Sequence, residues 1–344
     1  MLSDLYHAYY CARKHKRNTI NQLGFEFDLE ANIHALYDEV RMRAYKPLPS
    51  VAFIVENPVK REVFAANFRD RVIHHLIFNY LNPVLDNRFI TDSYSCRTGK
   101  GTLFGIRRLQ HHIRSCSENH SKPCYVMKMD IEGYFMKMNR TILYNQLERH
   151  IAKPHPHWQN IPIDVLKYLI RETIFCDPTD NCKLNTSEHT WTGLPKSKSL
   201  FYSPPDCGLP IGNLTSQLFS NVYLHELDCF VKHKLKCKHY GRYVDDFYIV
   251  SSSEDPGYYR YLRRTINDFL EEKLQLCLHP RKFYLQHYSK GLPFLGVVVY
   301  PYHTVASRRN RSNYLAARPE ERHKYDGFLM HHDCYRLRFA DASK

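Results

Sequence analysis

Tyr243-Val244-Asp245-Asp246 sets two adjacent carboxylates in a run of β-formers that continues through Phe247, Ile249 and Val250. An unpaired carboxylate is costly to bury, so the pair must meet either water or a cation. A strand period of two would send neighbouring side chains to opposite faces, which favours a tight turn at the pair with a β-hairpin on either side. Such a tip is either an ordinary exposed Asp turn or a metal site, and a second acid at a strand end decides between them. Tyr125-Val126-Met127-Lys128-Met129-Asp130 supplies one, followed by Ile131-Glu132-Gly133-Tyr134-Phe135. Two strands that each present a carboxylate at one sheet edge suit hard cations, which take oxygen ligands and keep room for water and phosphate. That arrangement is what two-metal nucleotidyl transfer requires.

Further along the chain, Gly208-Leu209-Pro210-Ile211-Gly212-Asn213-Leu214-Thr215-Ser216-Gln217 precedes a helical pattern. Together with the Asp130 and Tyr243–Asp246 blocks, in that order, it resembles the reverse transcriptases. Most of that family carry Gln before the glycine and Ser-Pro near the end of this block. Ile211 and Ser216-Gln217 stand here instead, and the pattern is similar to the reverse transcriptases of diversity-generating retroelements. The resemblance covers residues 30 to 300 or so. It implies an α+β right-hand polymerase fold, with fingers, an antiparallel palm sheet backed by helices, and a short helical thumb. The matching subdomains are an N-terminal helical extension (1–49), fingers (50–122), palm (123–302) and a short basic thumb (303–344). Within the palm lie a surface loop at 177–207 and a primer-grip-like hairpin at 291–300.

The same resemblance assigns roles. Asp130, Asp245 and Asp246, with the Ile131 carbonyl, hold two Mg²⁺ ions, and Lys282 stands near the leaving pyrophosphate as a candidate general acid. Arg97 and Lys100, in a glycine-punctuated turn that lets backbone approach a ligand, close over the triphosphate. An aromatic, Phe135 by spacing or else Tyr134, acts as the steric gate against a 2′-hydroxyl. Ile211, Gly212 and Gln217 border the nucleotide. Where relatives offer a Gln amide, Ile211 offers only apolar bulk, which weakens checking of the nascent pair and predicts low fidelity. By resemblance this is adenine-directed, error-prone cDNA synthesis that diversifies a target gene. Arg69 and Arg71 are candidates for template phosphate, Leu295 and Gly296 for the primer grip, and Arg308 and Arg309 for duplex phosphates. Partners implied are template RNA, primer or cDNA, dNTPs and a small basic accessory protein. The alternatives are a retron or group II intron type of reverse transcriptase, or a non-catalytic RNA-binding scaffold of the same fold.

Bulk properties agree with a nucleic-acid partner. The 344 residues are 43% hydrophobic, as in globular chains, and carry a formal net charge of +14, which favours a polyanion. Nothing approaches the run of about 18 apolar residues that a membrane span needs, and no signal-peptide pattern opens the chain. The 11 cysteines, scattered without Cys-x-x-Cys pairs, point to a reducing, cytoplasmic setting. Cys229, His233, Cys237 and His239 cluster in sequence but match no common zinc spacing.

Periodicity predicts helices over 28–43, Phe68–Leu81 (ending at Pro83), Gly101 to Arg114, 141–150, 162–175, Leu218–Phe230 and 258–274. Strands are expected at Ser50–Glu56 and, after a break at Pro58, Arg61–Phe64, returning antiparallel. Trp191 either anchors the 177–207 loop or stacks on a base.

Overall fold

The computed structural model describes residues 1–14, 18–56, 59–153, 155–185 and 188–339. The break expected at Pro58 lies outside the described residues. Among them the strands are β1 (Val51–Val55), β2 (Arg61–Ala65), β3 (Tyr125–Asp130), β4 (Lys183–Leu184), β5 (His239–Tyr243), β6 (Asp246–Ser251), β7 (Tyr284–His287), β8 (Leu292–Phe294), β9 (Val297–Val299) and β10 (Thr304–Ala306). The chain divides into two compact units, each assembled from several segments.

The first unit comprises Met1–Phe89, Gly133–Glu226 and Phe269–Cys277. Helix Leu29–Arg41 follows the expected pattern, burying Ile33, Leu36 and Val40 on one stripe. Strands β1 and β2 pair antiparallel, Val51 opposite Ala65, and β4 adds to β1 in parallel. Helix Phe68–Leu85 starts on Asn67, whose side chain accepts from the Arg69 amide at 3.0 Å. It does not end before Pro83, as the sequence reading expects, but runs two residues past it. Proline there removes one intrahelical bond within the last turn, while Val84 and Leu85 are buried, each worth ~1.5–3 kcal/mol and enough to keep the helix going. The 177–207 segment is held down from inside. The Glu62 carboxylate, 1% exposed, accepts from Trp191 Nε1 (2.8 Å), Ser199 Oγ (2.8 Å) and the Leu200 amide (2.7 Å). Trp191 is therefore an anchor.

The second unit comprises Ile90–Glu132, Leu227–Asp268 and Leu278–Lys344. Its main sheet has the order β5-β6-β3-β7, antiparallel throughout. Val126, Tyr248 and Val250 of this sheet join Ile106, Leu109 and Ile113 of helix Thr102–Cys116 in one core with Phe294, Val297 and Val299. These last belong to a second sheet, β10-β9-β8. The basic tail forms helices Arg308–Ala316, His323–Leu329 and Tyr335–Phe339 around a small core of Tyr314, Leu329 and Cys334. No helix of the described residues is long and apolar enough to cross a membrane. None of the 11 cysteines forms a disulfide.

Candidate active site

The hairpin β5–β6 closes on a two-residue turn, with Tyr243 paired to Asp246 and Val244-Asp245 between them. The turn is thus displaced one residue from the Asp pair: Asp245 sits in it, and Asp246 is already the first residue of β6. Val244 adopts φ 56°, a left-handed conformation that a β-branched residue takes only under constraint. Across the sheet, Asp246 lies directly opposite Asp130, the last residue of β3. Directly opposed residues share a face, so two carboxylates meet at one sheet edge beside a third in the turn. Strand β3 ends there because an isolated bridge from Ile131 to Leu278 and a bond from the His279 amide to the Asp130 carbonyl (2.8 Å) redirect the chain.

Such crowding of like charge raises the cost of ionisation. Burial, then the charges of Asp130 and Asp246, push Asp245 up to about 7. Burial also pushes Asp246 up to about 6, although the Lys128 ammonium pulls the other way. Two lysines take up part of the negative charge: Lys128 Nζ lies 3.0 Å from Asp246 Oδ2, and Lys282 Nζ lies 2.8 Å from Asp130 Oδ1. Lys128 also donates to the Pro293 carbonyl at 3.1 Å. Asp246 Oδ1 is buried with no hydrogen-bond partner, an unusual condition for a carboxylate oxygen. Among the described residues no three His, Cys, Asp or Glu side chains are drawn together tightly enough to grip a metal as they stand. Lys128 and Lys282 are the cations paired with the acid edge. Its donor set, all oxygen and with one orphaned, fits a hard divalent cation and not zinc.

The remaining candidate residues are distributed as follows. In the second unit, Arg97 Nη1 donates to the carbonyls of Ile90 (2.7 Å) and Ser93 (3.0 Å), and Lys100 Nζ to that of Thr91 (2.7 Å). Leu295 (φ 48°) and Gly296 (φ 86°) form the β8–β9 turn, and the Gly296 carbonyl accepts from the Ser307 amide and Asn310 Nδ2, both at 2.9 Å. Arg308 and Arg309 are exposed in the first turn of the helix that Ser307 caps. In the first unit, Tyr134 is 2% exposed and its hydroxyl donates to the Ser220 carbonyl at 2.7 Å. Phe135 and Ile211 are half-buried against a cluster of Ala52, Phe64, Met136 and Leu200. The Ile211 carbonyl accepts from the Phe64 amide at 2.9 Å. Gly212 has φ 122°, and a Cβ there would lie 2.8 Å from Val63 Cγ1, so only glycine fits. Gln217 is exposed on helix Leu214–Cys229. Arg69 is committed to ion pairs with Glu39 and Asp70 and stacks over Tyr45, while Arg71 Nε donates to the Ala66 carbonyl at 3.0 Å. Lys128 stands outside the site residues expected from the sequence. Its signal was present, since a residue two before Asp130 on a strand must share its face.

Comparison with known proteins identifies the fold around this edge. Residues 60–299 match the family described as reverse transcriptase (RNA-dependent DNA polymerase). The chain belongs to the reverse transcriptase family. A curated relative, Protein YkfC of Escherichia coli (strain K12), is 22% identical over 325 residues, covering 85% of this reverse transcriptase and 76% of YkfC. Among solved structures, telomerase from Candida albicans in complex with a fragment of telomeric RNA aligns with a TM-score of 0.51 and 10% identity, over 84% of this chain and 50% of that one. An apo telomerase from Candida tropicalis, truncated of its C-terminal domain, aligns with a TM-score of 0.51 and 12% identity, over 80% and 60%. The reverse transcriptase thus spans about half to three-fifths of the telomerase chains it matches. These likenesses establish the α+β right-hand polymerase fold. Members of the family work with divalent metal ions, which the donor set at the acid edge fits.

Proposed function

We propose that this reverse transcriptase copies RNA into DNA with low fidelity, as the polymerase of a diversity-generating retroelement. The observation that carries the catalytic part is the register of β3 against β6, which sets Asp130 opposite Asp246 with Asp245 in the adjoining turn. Those three acids, with the Ile131 carbonyl, are the proposed holders of two Mg²⁺ ions. When bound, such ions activate the primer 3′-hydroxyl and neutralise charge on the leaving pyrophosphate.

The side chains contribute in distinct ways. Lys282, now on Asp130, is released toward the pyrophosphate and hands it a proton. Arg97 and Lys100 exchange their carbonyl partners for phosphate oxygens, which bind a guanidinium or ammonium more strongly than a neutral carbonyl does. Phe135 is the proposed steric gate, a choice supported by the internal bond that occupies the Tyr134 hydroxyl. Gly212 lets backbone come close to the nucleotide, with Gln217 on the helix that follows. Leu295 and Gly296 grip the primer. Arg308 and Arg309 hold duplex phosphate, and their place at a helix N-terminus, where the dipole disfavours cations, supports a binding role over a stabilising one. Arg71 remains a candidate for template phosphate. Arg69 serves the ion-pair network instead.

The subdomains proposed are the helical extension 1–49, fingers 50–122, palm 123–302 and thumb 303–344. RNA as partner is supported by the net charge of +14 and by the telomerase neighbour bound to telomeric RNA. Low fidelity, directed at template adenines, and a small basic accessory protein rest on the Ile211 and Ser216-Gln217 pattern.

The test is Mg²⁺-dependent dNTP incorporation on a primed RNA, with Asp245→Asn and Asp246→Asn as controls. Each control is expected to lose at least ~10³-fold in rate, a loss of charge stabilisation worth ~4 kcal/mol. Incorporation that survives both substitutions overturns the catalytic assignment. For fidelity, cDNA from Ile211→Gln is expected to carry fewer misincorporations opposite adenine; an unchanged error spectrum removes Ile211 from the account.

A further inference from the structure

The largest fully buried side chain of the described residues is Arg242, immediately before the Tyr243–Asp246 block. Its guanidinium makes a two-pronged ion pair with Asp228, Nε to Oδ1 and Nη2 to Oδ2, both at 2.7 Å. Both side chains are 0% exposed. Tyr240 OH adds a bond to Asp228 Oδ1 at 2.7 Å, and Arg242 Nη2 reaches Ser93 Oγ at 3.2 Å. The backbone is fastened as well. The Arg242 amide donates to the Asp92 carbonyl at 2.8 Å, and the Tyr94 amide donates to the Arg242 carbonyl at 2.9 Å. A fully buried ion pair is a weak way to gain stability, because desolvation offsets most of the attraction and apolar packing does as well or better. Such a pair is better explained by the geometry it enforces.

That geometry is at the third nitrogen. Arg242 Nη1 donates to the Val244 carbonyl at 2.9 Å. Val244 is the β-branched residue held at φ 56°, and its carbonyl belongs to the peptide that leads into Asp245. Strain of this kind persists only where the surroundings over-determine it. Asp228 fixes the guanidinium, and the guanidinium fixes the Val244 carbonyl. The orientation of Asp245 follows from it.

We infer that Arg242, locked by Asp228 and Ser93, is a positioning residue that holds the Val244-Asp245 turn in the conformation in which Asp245 and Asp246 receive the divalent metal. The inference rests on the catalytic reading proposed above. Full-length Arg242→Lys keeps a cation beside Asp228 but cannot make the fork and reach Val244 together. The Mg²⁺ concentration for half-maximal primer extension is expected to rise about tenfold, with the KM for dNTP within about twofold, as loss of one well-placed charged hydrogen bond would give. A second readout needs no turnover: the Mg²⁺ concentration that thermally stabilises the substrate-free chain rises by the same factor. Ser93→Ala removes one arm and leaves the ion pair whole. It is expected to move both midpoints about threefold while the metal-free chain stays folded with a modestly lower melting temperature, and it carries the test if Arg242→Lys does not fold.

Unchanged Mg²⁺ midpoints in a folded Arg242→Lys, or in Ser93→Ala if the lysine variant is unfolded, overturn the inference. Asp245→Asn measured alongside separates the two claims. An Asp245→Asn chain that still extends primers removes the catalytic reading itself, whereas an inactive Asp245→Asn beside an undisturbed Arg242→Lys removes only the positioning role.

Discussion

Lys128 shows how much one side chain can determine at the acid edge. It neutralises Asp246 from the same face of the sheet and links that carboxylate to the β8 backbone through the Pro293 carbonyl. In Lys128→Met, an already crowded pair of carboxylates loses its counter-charge, so the chain without divalent metal is expected to lose ~1–3 kcal/mol. Saturating Mg²⁺ restores most of that loss by supplying the positive charge that the lysine had provided. Asp245→Asn acts with the opposite sign, removing a buried charge crowded by Asp130 and Asp246 and only partly offset by Lys282, and raises the metal-free melting temperature while abolishing the Mg²⁺ response. Scanning calorimetry with and without chelator checks both. A Lys128→Met chain as stable in chelator as the parent would show that the ammonium has no such role.

At the scale of the element, the 177–207 segment illustrates how a stretch with no periodicity is still specified. Its Thr, Asn, Ser, Lys and Pro content offers little apolar surface, so ordering must come from elsewhere. Glu62 of β2 supplies it, accepting three hydrogen bonds from Trp191, Ser199 and Leu200. Glu62→Gln keeps the shape but turns one acceptor oxygen into a donor facing donors. It is expected to cost ~2–3 kcal/mol and to speed limited proteolysis within 177–207 several-fold, with cleavage sites read by mass spectrometry. Equal proteolysis rates would mean that the apolar contacts of Trp191 suffice. Trp191 was legible only as one of two readings, and its partner not at all, because Glu62 is separated from Trp191 by 129 positions and nothing local marks a buried glutamate. Helix Phe68–Leu85 teaches the converse. Pro83 is a strong local stop signal, and tertiary burial of the two following residues overrode it.

For the whole molecule, buried histidines make the acid response predictable. Burial holds His74 down at about 3 and His150 and His239 at about 4, with neighbouring positive charge adding to the effect. The folded chain keeps these rings neutral while the unfolded chain protonates them near pH ~6.5. Stability contributed by the neutral rings is therefore complete above that pH and is lost as pH falls toward 4. Asp245 and Asp246 work in the opposite sense, since carboxylates raised to about 7 and about 6 destabilise the fold increasingly as pH rises through that window. Saturating Mg²⁺ cancels this second effect. In its presence, urea midpoints are expected to fall steadily between pH 7 and 5. A flat profile would contradict the buried neutral histidines.

What the amino-acid order determined alone is the pair of acid-bearing strand ends, the hairpin between β5 and β6, and the alternation of helices and strands around them. These depend on periodicity and turn chemistry within a dozen residues, so they are local properties of the chain. Ile211 stood out by residue type for the same reason. Tertiary structure alone decided that β3 lies beside β6 in the register that opposes Asp130 and Asp246, that Lys128 and Lys282 counter them, and that Arg242 finds Asp228 and Val244. Those are contacts across large separations or through buried charge, and their energies exist only once water has been excluded and the partners have met.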